Sequence, residues 1–453
     1  MAVDLSSEII LRWDKSSPWH VALFKSGGIT ALWPDEQNDA MERACAAAGI
    51  SVLGPHDVQL ISPAHLDDAT GDAAIVIKDG VWSGASMPER EEPVTAGATA
   101  RPWVNANGYR IGYLHALHPG RPPILGYSPD SEAGLKPDKP PALASLELAL
   151  IDAWAAGGNY VLTLTPEHRQ ELLSGKPEAL AVWRRLGRTA RWLRENAALF
   201  RQPTLPNITL LVERGDTTAE LANLMYRQNA SPRLVNAANP PAPDPLHCAV
   251  LVAAGIRSPS ASVADRILAH AEAGATVVTD AAGDDAWWRY KGWKPARAFE
   301  DRTFFKAGRG RLVAYAQKIQ DPGDFAFDVI DLAGTNRPVR LWDNGAVIAL
   351  TAGNEDGKDV LRAVNYGPPF RSTEILAQVP GHFSSAHLLR PEASPLSLKV
   401  ALRGPNTEVA IPALNLLACL LYTSLLSQAA CNRSFCPSRR PAACGPRKHL
   451  PPL

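Results

Sequence analysis

Carboxylates recur just past β-like runs in the first 200 residues of this chain. Asp14 follows IILRW, Asp35 and Glu36 follow ITALWP, Asp79 follows AAIVIK, Asp130 and Glu132 follow PILGYSP, and Glu167 follows YVLTLTP. Two carboxyl groups held across a reacting bond can divide the work between a proton donor and a nucleophile or base. Flat apolar rings lie near the same positions (Trp13, Trp33, Trp82, Trp103, Tyr127), and Asn105 and Asn107 add amides able to bond hydroxyl groups. Each residue also has a plainer reading. Asp35, Glu36 and Glu167 stand where helices can begin, an end that favours acidic side chains. Asp79 precedes Gly80, and Asp130 and Glu132 lie in SPDSEAG, so all three suit turns. The tryptophans can equally be core residues.

To bring such acids together, the elements before them must be strands whose C-terminal ends share one rim. Ile9 to Trp13, Ile29 to Trp33, Ser51 to Leu53, Ala73 to Ile77, Trp103-Val104, Pro123 to Tyr127 and Tyr160 to Leu164 carry strand-favouring residues. Helical segments fall between several of them. Asn38 to Ala48 starts on a capping Asn and stops at Gly49, and Leu143 to Ala156 stops at Gly157-Gly158. Apolar strands alternating with helices predict a parallel sheet covered by helices, and seven or eight units in about 200 residues predict a (β/α)8-type barrel, with an open doubly wound sheet as the alternative. A final helix begins near Pro177. Leu180, Trp183, Leu186, Ala190, Leu193 and Ala197 mark its apolar face; Arg184, Arg185, Arg188, Arg191 and Arg194 mark a solvated one.

The joint RQPTLPN (201–207) opens a second block. ITLLVE, CAVLVA and ATVVTD read as strands, Thr217 to Arg227 and Ser262 to Ala273 as helices, and Gly308-Arg309-Gly310-Arg311 as a turn into Leu312 to Tyr315. From Pro338 the pattern becomes short strands without helices: Val339 to Trp342, Ala346 to Thr351, Val360 to Asn365, Glu374 to Val379, Leu396 to Leu402 and Glu408 to Ile411. The predicted blocks are 1–200, 201–335 and 336–414. Residues 415–453 contain five basic and no acidic residues, and CLLYTS is similar to translated adapter read-through; this stretch is expected to be an artefactual or disordered tail.

Lys and Arg total 46 and Asp and Glu total 46, so overall charge offers no hold on nucleic acid or an anionic membrane. A hydrophobic content of 46% is enough for packed cores. Of six cysteines four lie beyond residue 415, which argues against a disulfide framework for the body. The N-terminus lacks a basic segment followed by an apolar run, and no apolar stretch reaches the ~18 residues of a membrane span. A cytoplasmic location is the expectation for a complete N-terminus.

The order of blocks resembles that of multidomain glycoside hydrolases, in particular beta-galactosidases whose barrel is followed by a class I glutamine-amidotransferase-like domain and a C-terminal sandwich. The runs ITLLVE, CAVLVAAG, ATVVTD, GRGRLVAY and VLRAVNYG carry the likeness, over about 200 residues; RWDKSSPWHVALFKSGGITALW and PWVNANGYRIGYL look like sugar-binding barrel loops. The resemblance implies a barrel, a flavodoxin-like or amidotransferase-like α/β domain and a small antiparallel β-sandwich. It also implies a carbohydrate ligand, cleavage by a carboxylate pair drawn from Asp14, Glu132, Asp130 and Asp35, and substrate contacts from Trp13, Trp33, Trp103, Asn105, Asn107 and Tyr127. A homo-oligomer formed through the α/β domain, with no cofactor, completes the expectation. Two departures stand out. The middle block reads Ala253-Ala254-Gly255-Ile256-Arg257 where a glutaminase needs an elbow cysteine, and no Asn-Glu pair occurs in residues 1 to 200, where those galactosidases carry the acid/base. A non-catalytic carbohydrate-binding or scaffold protein is therefore the alternative. No P-loop, H-E-x-x-H or G-x-S-x-G is present, Gly308-x-Gly310 lacks a dinucleotide fingerprint, and His115 and His118 lack a nearby third metal ligand.

Overall fold

The computed structural model describes residues 5–14, 17–61, 74–77, 80–86, 102–120, 123–126, 142–244, 246–343, 345–353, 358–367 and 373–424. Its first sheet is parallel throughout. Strands β1 (Ile10–Trp13), β2 (Ala31–Pro34), β3 (Ser51–Val52), β4 (Val58–Ile61), β5 (Ala74–Ile77), β8 (Ile124–Gly126) and β9 (Asn159–Thr163) run in the order β3-β2-β1-β9-β8-β5-β4. Because β9 pairs with β1, the strands follow chain order around a ring, which is barrel wiring; among the described residues no pairing closes it between β3 and β4. The expected (β/α)8-type barrel is thus present with seven strands in its sheet. The predicted strand at Trp103-Val104 is not among them. It is β7 (Trp103–Asn105), which pairs antiparallel with β6 (Gly84–Ser86) in a separate hairpin.

Alternation along the strands decides which side chains face the lumen. Ile10, Ala31, Val58, Val76, Ile124 and Val161 form one buried cluster inside the ring, while Ile9, Leu11, Trp13 and Leu162 join the larger core under the helices. Those helices are α1 (Val21–Ser26), α2 (Asp39–Ala47), α3 (Gly108–Leu117), α4 (Ala144–Ala155), α5 (Pro166–Leu173) and α6 (Pro177–Glu195). Asn38 caps α2 as predicted, its side chain accepting from the N–H groups of Ala40 and Met41. Helix α6 buries Trp183, Leu186, Ala190 and Leu193 and exposes Arg184, Arg188, Arg191 and Arg194; Arg185, expected on the same solvated face, instead turns in to pair with buried Glu147. It seats closely because a Cβ on Gly187 would come within 2.1 Å of the Ser26 carbonyl oxygen.

The second block is a three-layer α/β unit. Its parallel strands β10 (Ile208–Val212), β11 (Arg233–Asn236), β12 (Val250–Val252), β13 (Thr276–Thr279) and β16 (Gly310–Tyr315) stand in the order 2-1-3-4-5 of a flavodoxin-like sheet. Helices α7 (Asp216–Arg227), α8 (Ala261–Ala273) and α9 (Pro322–Ala333) cover it. The predicted turn at Gly308 is a hairpin joining β15 (Arg302–Ala307) to β16, with Gly308 in the left-handed region at φ +56°, and β14 (Pro295–Ala298) adds an antiparallel edge.

The third block is a sandwich. One sheet orders β17 (Arg340–Trp342), β20 (Thr373–Pro380), β24 (Asn406–Leu414) and β23 (Val400–Arg403) as β17-β20-β24-β23. The other orders β18 (Val347–Gly353), β19 (Lys358–Asn365), β25 (Leu417–Ser424), β21 (Phe383–Arg390) and β22 (Ala393–Leu398) as β18-β19-β25-β21-β22. The single strand expected at Leu396 to Leu402 is two, split between the sheets. A larger correction concerns the boundary at 414. Leu417–Ser424 is the central strand of its sheet, paired with β19 on one side and β21 on the other. Ala418, Leu420 and Tyr422 face the sandwich core while Leu417 and Cys419 join the core shared with the barrel. An apolar run without alternation is what a strand covered on both faces requires. Residues 425–453 lie outside the described residues.

Candidate functional site

At the C-terminal rim of β1 and β2 the register Trp13↔Pro34 puts Asp14 and Asp35 one residue beyond neighbouring strand ends, and the Asp35 N–H donates to the Trp13 carbonyl at 3.0 Å. Arg12 and Trp33 are in phase with the lumen residues Ile10 and Ala31. Arg12 donates from Nε to Asp35 Oδ1 at 2.9 Å, with its guanidinium 5.4 Å from the Trp33 ring. Asp14 is ion-paired to Arg169 of α5, which lies over the Trp13 ring at 5.9 Å. The rim thus repeats one unit: an aspartate, its arginine and an indole beneath the arginine. The side chains of Asp14 and Asp35 are 36% and 39% exposed, so both acids remain open to a ligand.

Helix α5 starts on Thr165, whose Oγ1 accepts from the His168 N–H at 3.3 Å and meets His168 Nδ1 at 3.1 Å. The Trp82 and His168 rings lie 5.9 Å apart, and burial holds the His168 pKa below its usual value despite Glu171 and Glu167 nearby. A neutral imidazole follows at pH 7. Glu36 and Glu167 are exposed, Glu167 in the first turn of α5.

The remaining predicted residues scatter. Trp13 is 2% exposed and packs edge-on to Phe24 at 5.1 Å, so its ring is core and offers no face to a sugar. Trp103 sits on the β6–β7 hairpin under the guanidinium of Arg227, 3.3 Å from its centroid, and its Nε1 donates to Asn105 Oδ1 at 3.2 Å. Asn107 is buried; its amide bonds Val81 N, Val81 O and Ser83 Oγ, which leaves no free group for a ligand. Asp79, Tyr127, Asp130 and Glu132 lie outside the described residues. Sequence reasoning missed Arg12 and Arg169; Arg12 was detectable as a charged residue in phase with the lumen of an otherwise apolar strand.

It also missed a buried acid where the three blocks meet. Asp152 of α4 is fully buried and accepts from five donors: Ser83 Oγ at 3.0 Å, the Asn107 N–H, the Gly108 N–H at 3.1 Å, Tyr226 OH at 3.2 Å and Tyr366 OH at 2.5 Å. The two N–H groups open α3, Tyr226 belongs to α7, and Tyr366 follows β19. Burial pushes the carboxyl above its usual range, and the donors, Tyr366 foremost, offset only part of that rise. Near it Arg362 of β19, also buried, donates to the carbonyls of Leu199, Ala155 and Gln202, the second of these at the C-terminus of α4 where a cation is favoured. A cleft of about 540 Å³ lies not at the rim but between α4, α6 and the sandwich, lined by Glu147, Arg185, Thr189, Tyr366, Arg390 and Asn415. Glu147 is held there by Arg185 Nε at 2.6 Å and Thr189 Oγ1 at 2.7 Å.

In the α/β block, the turn expected to carry a nucleophilic cysteine in a glutaminase is braced by Asp280. Its carboxylate accepts from the Gly255 N–H at 2.8 Å and takes both terminal nitrogens of Arg257. Cys248 lies away from that turn at 4% exposure, and burial pushes its thiol up to about 11, which makes it inert at neutral pH.

No protein-family model matches the chain, and no curated protein matches it in sequence. The fold is similar to that of alpha-L-fucosidase isoenzyme 2 from Paenibacillus thiaminolyticus, with a TM-score of 0.56 at 8% identity over 92% of this chain and 99% of that one. A beta-galactosidase from Bacillus circulans sp. alkalophilus aligns at a TM-score of 0.48 and 12% identity, over 77% of this chain and 60% of its own. What these likenesses show is a shared fold: this chain has the overall fold of that fucosidase.

Proposed function

We propose that this protein acts on a carbohydrate at the barrel rim, as a glycoside hydrolase whose carboxylate pair includes Asp14. The observation that carries the reading is the placement of Asp14 and Asp35 at adjacent strand ends, each open to solvent and each steadied by an arginine. A carboxylate facing a guanidinium suits the role of nucleophile, or of base toward a water, in cleavage through an oxocarbenium-like centre. The proton for the leaving oxygen then comes from a second acid, which we assign to Glu132, with Asp130 and Asp35 as the other candidates. Trp33 supplies a flat wall, and Arg169 fixes the Asp14 carboxylate so that no reorganisation is needed as charge develops. The α/β block, lacking the elbow cysteine, serves as a support element through which the chain forms homo-oligomers.

The second reading, a non-catalytic carbohydrate-binding protein, is favoured by one feature: both rim aspartates described are engaged by arginine, and neither is buried as a proton donor would be. Aryl fucosides, galactosides and mannosides separate the two. Under the hydrolase reading the wild type releases the aryl group from at least one, and Asp14→Asn and Glu132→Gln each lower turnover on the order of 10³-fold. Turnover that is unchanged in both variants refutes the residue assignments. Sugar binding by calorimetry with no turnover of any glycoside supports the second reading.

A further inference from the structure

The connection from β1 to α1 carries Asp14 and then a 3-10 turn, Pro18–His20. His20 turns inward: its ring lies 5.4 Å from Trp13 and 6.1 Å from Phe24, and Nδ1 accepts from the Ser17 N–H at 3.3 Å. Burial lowers the His20 pKa, in keeping with that accepting role. Successive residues of a 3-10 turn are rotated by about 120°, so an inward His20 sends Trp19 outward. Trp19 is 86% exposed.

Exposure alone is ordinary; among the exposed indoles, the company they keep is what separates this one. Trp103 is covered by Arg227, Trp342 by Arg340, Tyr290 by Lys291 and Phe299 by Arg297. Trp19 has no ring, cation or hydrogen-bond partner among the described residues, and the turn that presents it is pinned to the core through His20. An indole held in water by a fixed loop is a preorganised apolar face with a polar edge. The apolar face of a pyranose ring stacks on such a surface, and the turn belongs to the same β1–α1 connection that carries Asp14.

We propose that Trp19 is an outer stacking platform and that the ligand is an oligosaccharide, with one sugar at Asp14 and a further ring on Trp19. This rests on the rim being the carbohydrate site. The test compares wild type, Trp19→Phe and Trp19→Ala on an aryl glycoside and on di-, tri- and tetrasaccharides ending in fucose, galactose or mannose. Removing the ring lowers the ratio of oligosaccharide to aryl-glycoside kcat/KM about tenfold, through KM and not kcat, and Trp19→Phe restores part of it. A ratio that is the same in Trp19→Ala as in wild type overturns the platform. Calorimetry with the same oligosaccharides on an Asp14→Asn background keeps the two proposals apart. If the wild type hydrolyses nothing yet Trp19→Ala weakens oligosaccharide binding about tenfold, the hydrolase reading fails and the platform stands. Binding unaffected by Trp19→Ala, or absent in the parent, overturns the platform.

Discussion

Replacing Asp152 by Asn keeps the size of the side chain and removes only its charge and half of its accepting capacity. The Asn107 N–H is received by Oδ2 and the Gly108 N–H by Oδ1, so whichever way the substituted amide turns, its NH2 faces one of these N–H donors. Tyr226 and Tyr366 can rotate their hydroxyls to accept; a backbone N–H cannot. One stranded backbone donor costs about 1–3 kcal/mol, and the other bonds lose their charged acceptor, so the total is roughly 3–5 kcal/mol. If the barrel block melts as one unit of some 200 residues, Tm falls by about 7–12 °C. Because Tyr226 and Tyr366 tie the other two blocks to this carboxylate, the calorimetric transition should also lose its unity and split. Tyr366→Phe is the control: it deletes one donor of five and leaves the carboxylate intact, at about 1.5–3 kcal/mol. A Tm and transition width for Asp152→Asn equal to those of Tyr366→Phe would refute the view that a charged acceptor holds the junction.

Asp359 gives a pH signature. Burial pushes its carboxyl up to about 6, with His247 opposing, so the folded state holds a proton more tightly than the unfolded chain. The associated stability is full below about pH 4 and is lost as pH rises through 6; Asp359→Asn should therefore exceed wild type by about 1–2 kcal/mol at pH 8, after discounting for partial exposure, and the gap should shrink by roughly half at pH 5 and close below about pH 4. A gap independent of pH in urea melts would count against this. Leu420 is 1% exposed in the central strand β25, and Leu420→Ala should cost about 2–5 kcal/mol in the sandwich transition; a loss below half a kcal/mol would mean that the strand is dispensable.

The elements that could be read from sequence are those with one solvated face or with a short apolar run set off by turn residues. Helix α6 declared itself through six apolar positions at helical spacing, and β10, β12 and β13 through short apolar runs bounded by turns. Strand β25 could not be read this way. Both of its faces are buried, one by the sandwich and one by the barrel block, so its sequence carries no alternation, and with no Gly or Pro directly after it the run merges with the segment that follows. Strand β21 failed for a different reason: Ser384, Ser385 and His387 interrupt the run, and only Phe383, Ala386 and Leu388 reach the core. Rim acids were legible because a strand end is a local signal. Their arginines were not equally so. Arg12 is local, but Arg169 reaches Asp14 only because β9 closes against β1, a contact between positions 155 residues apart that no local pattern encodes.

That closure also explains why the rim and the domain junction belong to one mechanical unit. Helix α4, which carries Asp152, leads directly into β9. Trp154 donates to Asn159 Oδ1 at 3.0 Å, and the Asn159 amide in turn donates to the carbonyls of Leu5 and Glu8 at 2.7 Å, just ahead of β1. Strand β9 then pairs with β1 and runs into α5, which presents Arg169 to Asp14. The path from Tyr226 and Tyr366 to Asp14 therefore passes through packed, hydrogen-bonded elements without a free loop between Asp152 and Arg169. Among the described residues no pairing joins β3 to β4, so the β9–β1 side of the ring depends on what packs against it. The α/β block and the sandwich supply that packing by clamping α4, and in doing so they hold β9, and with it Arg169, in place beneath Asp14.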